Sequence, residues 1–300
     1  MVNPDSIYTL NSDLSIDDAK ASVMLVALGG FVDAGHTQRL LAEHLLAHHD
    51  HELVATFDVD QLIDYRGRRP MLTFEVDRFT AYSAPKIELH RLRDLDGTSF
   101  LLLTGVEPDY QWERVIAAVS TLIEQLDVQL TVSLHGIPMA VPHTRPIGVT
   151  AHGTNDALIA GEQSPFAKVM VPGSLESLLE LRLGEKGRDA LGFSVHVPHY
   201  LSQVELPAAS VVALDRVVGV TGLRLQRAEL DQAAASSVEA LRAELAEREE
   251  IAPVIAALEQ QYDAYMGSRE RPSLMAPETS LPSADEIAAE AEAFLRGLEG

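Results

Sequence analysis

The sequence predicts an α/β protein: a three-layer α/β/α sandwich with a mostly parallel sheet, followed by a C-terminal helical hairpin. Three observations predict it. Residues 23–35, VMLVALGGFVDAG, form an apolar run that ends in Gly29 and Gly30 and is followed by Leu40, Leu41 and Leu45 at helical spacing. A strand covered on both faces is hydrophobic throughout, so this run reads as the strand, turn and helix that open an α/β unit. Strand-like runs then alternate with amphipathic helical stretches through residue 222, which implies strands sandwiched by helices. The 300-residue length buries one large core with an appendage more readily than two equal domains.

The elements follow in order. A helix is expected over 36–48, a strand over 53–57, and β-like segments over 72–76 and 86–92. The last alternates Ile87 and Leu89 with Glu88 and His90, the pattern of a half-exposed strand. FDVDQLIDYRGRRP packs acids against bases, and Pro70 stops any helix there. Asp96-Gly97 is a turn before a buried strand over 100–104. The helix over 110–126 carries Trp112, Val115, Ile116, Val119, Leu122 and Ile123 at helical spacing. After a strand over 128–134, the three prolines of HGIPMAVPHTRP predict an ordered loop. Further strands are expected over 149–151, 168–171 and 191–197, with helices over 175–185, capped by Ser174, and over 207–220.

From Leu223 the pattern changes to two helices in a hairpin, with Pro253 near the start of the second and Gly267 at its end. Pro272, Pro277 and Pro282 mark a linker, and Ser283 with Glu286 forms a capping box for a last helix striped with Ile287, Ala291, Phe294 and Leu295. The expected layout is a sandwich domain at 1–222, a hairpin at 223–266 packed on it, and an acidic linker with a terminal helix at 267–300. Residues after 222 hold 16 acids against 7 bases, the mark of a well-solvated outer face.

Composition narrows the function. The chain has no cysteine, which excludes disulfides and thiolate chemistry. Its formal charge of -22 opposes binding to a phosphate backbone, so nucleic acid and anionic membrane are poor partners. The first residues lack the basic and apolar regions of a signal peptide, and no stretch reaches the length of a membrane span, so a soluble cytoplasmic protein is expected.

Several residues are candidates for chemistry or binding. GGFVDAG lacks the GxGxxG spacing of a dinucleotide fingerprint, and no GxxxxGK[ST] loop or GxSxG elbow occurs. Asp33 reads as a helix N-cap, with a catalytic carboxylate as the alternative. His44 and His48 have the i,i+4 spacing of metal ligands, but HExxH is absent and they read as surface histidines. Arg66, Arg68 and Arg69, close after the acid Asp64, stand out in so acidic a chain: they read either as a solvated or salt-bridged loop or as a site for a carboxylate, a phosphate or an acidic partner surface. Glu107 and Asp109 read as an acid/base pair or as helix N-terminal charges. His135, His143, Arg145, His152, Asn155, His196 and His199 lie in or beside loops where structural roles compete with binding. Strand carboxyl ends precede Asp33, the arginines, Glu107 with Asp109, His135, His152, and His196 with His199, so a parallel sheet is expected to bring these residues to one rim. No cofactor and no metal is expected, because the histidines are scattered without a tight ligand spacing.

Taken together, GGFVDAG, FDVDQLIDYRGRRP, TGVEPDYQW, GIPMAVPHTRP with VTAHGTN, VPGSLESLLELRLGE, VHVPHYL and EREEIAPVIAALEQQYD resemble the proteasome assembly chaperone two family in its actinobacterial-type form. The likeness spans about residues 23–263. It implies a phosphorylase/hydrolase-like sandwich similar to that of purine nucleoside phosphorylases, with a helical extension. It also implies homo-oligomers, a trimer being favoured, and a protein partner related to the proteasome. The chain departs from relatives that dock through a hydrophobic-tyrosine tail, since it ends FLRGLEG with Glu299 where tyrosine would stand.

The leading expectation is a noncatalytic protein-binding or assembly factor, because no nucleophile or cofactor motif is present and the tail carries an apolar stripe that suits a groove. The alternative is an enzyme acting on a small anionic or nucleoside-like metabolite at the sheet rim, which rests on fold analogy.

Overall fold

In the computed structural model, which describes residues 4–162, 164–166, 168–246 and 251–269, the chain alternates strands and helices. In order these are β1 (Tyr8–Leu10), α1 (Ile16–Ala19), β2 (Val23–Gly29), α2 (Thr37–His48), β3 (His51–Phe57), α3 (Val59–Leu62), β4 (Leu72–Glu75), β5 (Arg78–Tyr82), β6 (Ile87–Arg93), β7 (Ser99–Val106), α4 (Trp112–Gln125), β8 (Leu130–Met139), β9 (Val149–Gly153), α5 (Leu175–Glu185), β10 (Asp189–Pro198), α6 (Pro207–Thr221), α7 (Ala228–Ala246) and α8 (Ala252–Arg269). Eight strands form one sheet in the order β1-β3-β6-β7-β2-β8-β10-β9, and β4 pairs with β5 alone.

The apolar run at β2 takes the middle of that sheet because both of its faces are hydrophobic. Met24, Val26 and Leu28 pack with Ile116, Val119 and Ile123 of α4 and Leu179 of α5, whereas Val23, Leu25 and Ala27 pack with Leu41 and Leu45 of α2 and Leu214 of α6. The sheet is therefore the middle layer of an α/β/α sandwich. Its four central strands, β7, β2, β8 and β10, are parallel. The flanks are antiparallel: β6 and β3 extend one side, β1 caps it, and β9 closes the other. Beyond the sheet, α7 joins the second core through Leu230 and Leu241. The chain divides into two units after Glu259, within α8; the described part of the second unit is the remainder of that helix, 260–269.

Several segments differ from the sequence expectation. HGIPM does not form a loop; it continues β8 to Met139, with Pro138 opposite Val197 of β10. β2 pairs with β8 only as far as Ser133, so beyond that point no described strand pairs with the other edge of β8 and a proline that cannot donate is tolerated. Residues 168–171, expected as a strand, have no regular structure, and Val169, Met170 and Val171 are exposed. β1 and β5 were not anticipated. α8 runs through Gly267 to Arg269, and the expected linker, the terminal helix and Glu299 lie outside the described residues.

Gly105 bears directly on the sheet. Its φ is +129, and a Cβ there would stand 1.9 Å from the carbonyl oxygen of Lys86, immediately before the neighbouring strand β6. Gly105→Ala therefore combines an unfavourable backbone angle with a backbone clash at the β6–β7 pairing. Equilibrium urea unfolding should show a loss of about 3 kcal/mol, the upper end of ordinary overpacking; an unchanged midpoint would contradict this account.

Candidate functional site

The parallel strands β2, β7, β8 and β10 end at the same rim of the sheet, where open α/β folds place their sites. At its centre is Glu107, which is 5% exposed. Its N–H donates to Gly29 O at 3.0 Å. Its carboxylate accepts from Phe31 N at 3.2 Å and from Leu175 N at 2.7 Å, so it ties the loop after β2 to the start of α5. Gly30 makes the space, since a Cβ there would fall 2.2 Å from Glu107 Oε2.

Asp33 closes the adjacent turn. Its carboxylate accepts from Gln38 N at 2.9 Å and Arg39 N at 3.2 Å at the start of α2, and from Gly136 N at 3.4 Å. This is the capping role, performed across a turn in which Gly35 and His36 adopt positive φ. A cleft of about 400 Å³ opens beside it, lined by Gly29, Phe31, Asp33, Arg39, Pro138 and Gln203 among others. A broader groove of about 600 Å³ runs along β1 instead, away from this rim.

Beneath the rim lies Glu176 of α5, whose Oε1 accepts from Leu28 N at 2.8 Å. Burial pushes its carboxyl well above the usual carboxylate range, and the nearby Glu107 and Asp33 add to the effect. Burial also raises Asp33, against the three amide hydrogen bonds that favour its charge. Gln38 Nε2 donates to Leu28 O at 3.0 Å, and Gln38 Oε1 has no hydrogen-bond partner among the described residues.

The arginine cluster divides. Arg68 turns inward, pairing with Asp109 Oδ1 at 2.7 Å and donating to Glu107 O at 2.9 Å. Asp109 also accepts from Asp64 N at 2.7 Å, and Asp64 accepts from Arg66 N at 2.9 Å, so Asp64, Arg68, Glu107 and Asp109 form one locked corner. The Arg66 and Arg69 side chains are exposed and make no ion pair among the described residues.

The histidines fall into two groups away from that corner. His135, His152 and His196 sit on β8, β9 and β10. His135 Nε2 is 3.2 Å from Ser194 Oγ, His152 Nδ1 is 2.8 Å from Glu180 Oε2, and His196 Nε2 is 2.8 Å from Thr150 Oγ1. Burial pushes the His135 imidazole down to about 4. The second group surrounds Tyr200. His143 N–H donates to the Tyr200 hydroxyl at 2.9 Å, that hydroxyl lies 2.7 Å from His143 Nδ1, and His199 stacks edge-on to the Tyr200 ring. Next to it Arg145 pairs with Glu259 at 3.2 Å. Because β9 runs antiparallel to β10, the end of β9 points away from the rim, and Asn155 bonds Asp189 at the start of β10 at 2.7 Å.

Sequence reasoning missed Glu176, Glu180 and Ser194. The available signal was the alternation Gly192, Ser194, His196 along one strand and two acids four apart beside the Leu175, Leu179, Leu183 stripe. Among the described residues no group of three or more His, Cys, Asp or Glu is arranged to hold a metal ion. The rim carboxylates are committed to backbone amides, so their chemistry is to fix loop conformation.

The raised Glu176 carboxyl has a pH consequence. A folded-state value above the unfolded 4.5 means that the native state holds this proton more tightly than the unfolded chain. Its contribution to stability is complete below pH 4.5 and is lost as pH rises through the folded value. Glu176→Gln keeps an acceptor for Leu28 N–H and removes the titration. The difference in melting temperature, variant minus native, should therefore grow in the variant's favour as pH rises above 4.5; a difference independent of pH would overturn this assignment.

Residues 27–246 match the PAC2 family. The fold is similar to protein Rv2714 of Mycobacterium tuberculosis, whose function is unknown: TM-score 0.84, 46% identity, 88% of this chain and 91% of that one covered. It is also similar to a Corynebacterium glutamicum protein of unknown function, with TM-score 0.82, 38% identity, and 88% and 99% covered. The Mycobacterium tuberculosis proteasome-assembly chaperone homologue Rv2125 shares the fold at TM-score 0.70 and 24% identity, over 78% of this chain and 99% of its own. A comparison with curated proteins finds no match. With the rim, the sandwich and this match over most of its length, the chain belongs to the PAC2 family.

Proposed function

We propose that this protein is a chaperone-like binding or assembly factor whose rim acts noncatalytically on a protein partner in the cytoplasm. The observation that carries this reading is a contrast at the rim. The carboxylates Asp33, Glu107 and Asp109 are spent on holding loops, whereas the groups those loops present outward are large and apolar. Phe31 is 74% exposed, and Tyr110, three residues after Glu107, and Val169, Met170 and Val171, shortly before Leu175, are exposed on the other segments that Glu107 ties together. Exposed apolar clusters of this kind mark interaction surfaces. The fold shared with a proteasome-assembly chaperone homologue supports a proteasome subunit as the first partner to examine. No described helix is long and apolar enough to cross a membrane.

Self-association is the second part of the proposal. The β4–β5 hairpin is a two-stranded sheet with every residue exposed, Leu72, Phe74, Val76, Phe79 and Tyr82 among them. A lone hairpin is marginal in water, so contact with another copy of the chain is the stabilisation it lacks. A homo-oligomer follows, with a trimer as the favoured state.

Two measurements check these readings. In affinity purification from the native cells, a proteasome component retained by the native chain should be lost with Phe31→Asp and Tyr110→Asp, at unchanged melting temperature; retention by both variants would overturn the rim as the binding surface. In sedimentation velocity, Phe74→Asp with Phe79→Asp should convert the oligomer to monomer. A native chain already monomeric at micromolar concentration would end the hairpin proposal.

A further inference from the structure

We propose that Ser194 is a nucleophilic hydroxyl, set by His152 and Glu180 to attack the carbonyl carbon of a compact ester or thioester. The site lies on the α5 face of β9 and β10, is separate from the rim, and does not depend on the binding function proposed above.

The geometry assigns the protons. His152 Nδ1 faces both carboxylate oxygens of Glu180, at 2.8 and 3.1 Å. Nδ1 therefore carries the hydrogen in this contact, and Nε2 keeps its lone pair. That lone pair lies 3.4 Å from Ser194 Oγ, a reach common between nucleophile and base before substrate binds. The Ser194 hydroxyl donates to it and, on its other side, receives Nε2–H of His135 at 3.2 Å. The oxygen is thus placed between an acceptor for its proton and a donor for the negative charge it gains on losing that proton. Gly192 is part of the construction: a Cβ there would come 2.0 Å from His152 Cε1, so only glycine lets the imidazole lie over the strand. Ser194 is 9% exposed, and the side chain of His152 beside it is 35% exposed, which restricts the site to small reagents arriving past the imidazole.

In the reaction, the Ser194 Oγ–C bond forms as its proton passes to His152 Nε2. Collapse of the tetrahedral adduct breaks the bond to the leaving alcohol or thiol, which takes that proton. Water then adds to the acyl-serine, giving its proton to His152 Nε2, which returns it to Ser194 Oγ as the carboxylic acid departs.

The test uses the full chain and phenylmethanesulfonyl fluoride, read by intact mass and peptide mapping. A single adduct at Ser194 is expected, absent in Ser194→Ala and formed about 100-fold more slowly in His152→Gln, the scale on which a general base contributes. Glu180→Gln keeps both Ser194 and His152 and should also slow the adduct, which secures the test if Ser194→Ala fails to fold. An unmodified Ser194 in the native chain, or an adduct formed equally fast in His152→Gln, would overturn the proposal.

Discussion

A single buried carboxylate, that of Glu107, holds together parts of the chain that the sheet alone would leave apart. It accepts amides from Phe31, 76 residues before it, and Leu175, 68 residues after it. Each oxygen thereby satisfies an amide that would otherwise be costly to bury, and hydrogen bonds to a charged group are worth about 1.5–3 kcal/mol each. The backbone of the same residue extends the tie, donating to Gly29 and accepting from Arg68. Three loops that carry the exposed apolar groups of the rim thus share one anchor, and Gly30 is glycine because the anchor occupies the space of its side chain.

That arrangement gathers Asp33, Glu107 and Glu176 into one partly buried acidic neighbourhood. Hydrogen bonds from amides compensate the first two, whereas Glu176 has one amide and a histidine nitrogen 3.8 Å away. Retaining its proton is the least costly state, since an uncompensated carboxylate in a low-dielectric interior shifts its titration instead of remaining charged. The outward consequence is that the rim carboxylates direct little negative charge at a partner despite the strong acidity of the chain, while Arg66 and Arg69 remain exposed beside them. Exposed apolar groups flanked by arginines that make no ion pair among the described residues have the composition of a protein-contact surface, where aromatic residues and arginine are enriched.

Much of the fold was legible because it depends on burial. The two-faced apolar run of β2, the stripe of α4 and the Ser174 cap of α5, whose hydroxyl accepts from Ser177 N at 3.1 Å, follow from periodicity and local hydrogen bonding alone. Register and edge environment were not legible. Nothing local in HGIPM shows that β2 pairs with β8 only as far as Ser133, and this is what admits Pro138 to a strand. The apolar composition of 168–171 imitated a strand, although among the described residues no strand pairs with it. The site was legible in part: Asp64, Arg68, Glu107 and Asp109 meet in one corner, while the antiparallel direction of β9 carries Asn155 to the opposite end of the sheet.

Why Glu176 and Glu180 escaped notice explains how α5 serves two sites. Acids beside a leucine stripe ordinarily lie on the solvent margin of an amphipathic helix. Here the inward face is shared: Leu175, Leu179 and Leu183 enter the core under β2, while Glu176 and Glu180, one turn apart, face the polar side of β8, β9 and β10. Burying that second stripe is tolerable because the strands supply His135, His152 and Ser194 opposite it, whereas apolar side chains at those positions would leave Glu180 without a donor. The first residue of α5 gives its amide to Glu107, the second caps the end of β2 through Leu28, and the sixth orients His152. A shift of this helix along its axis would therefore disturb the rim loops and the Ser194 cluster together, which makes α5 the rigid connection between them.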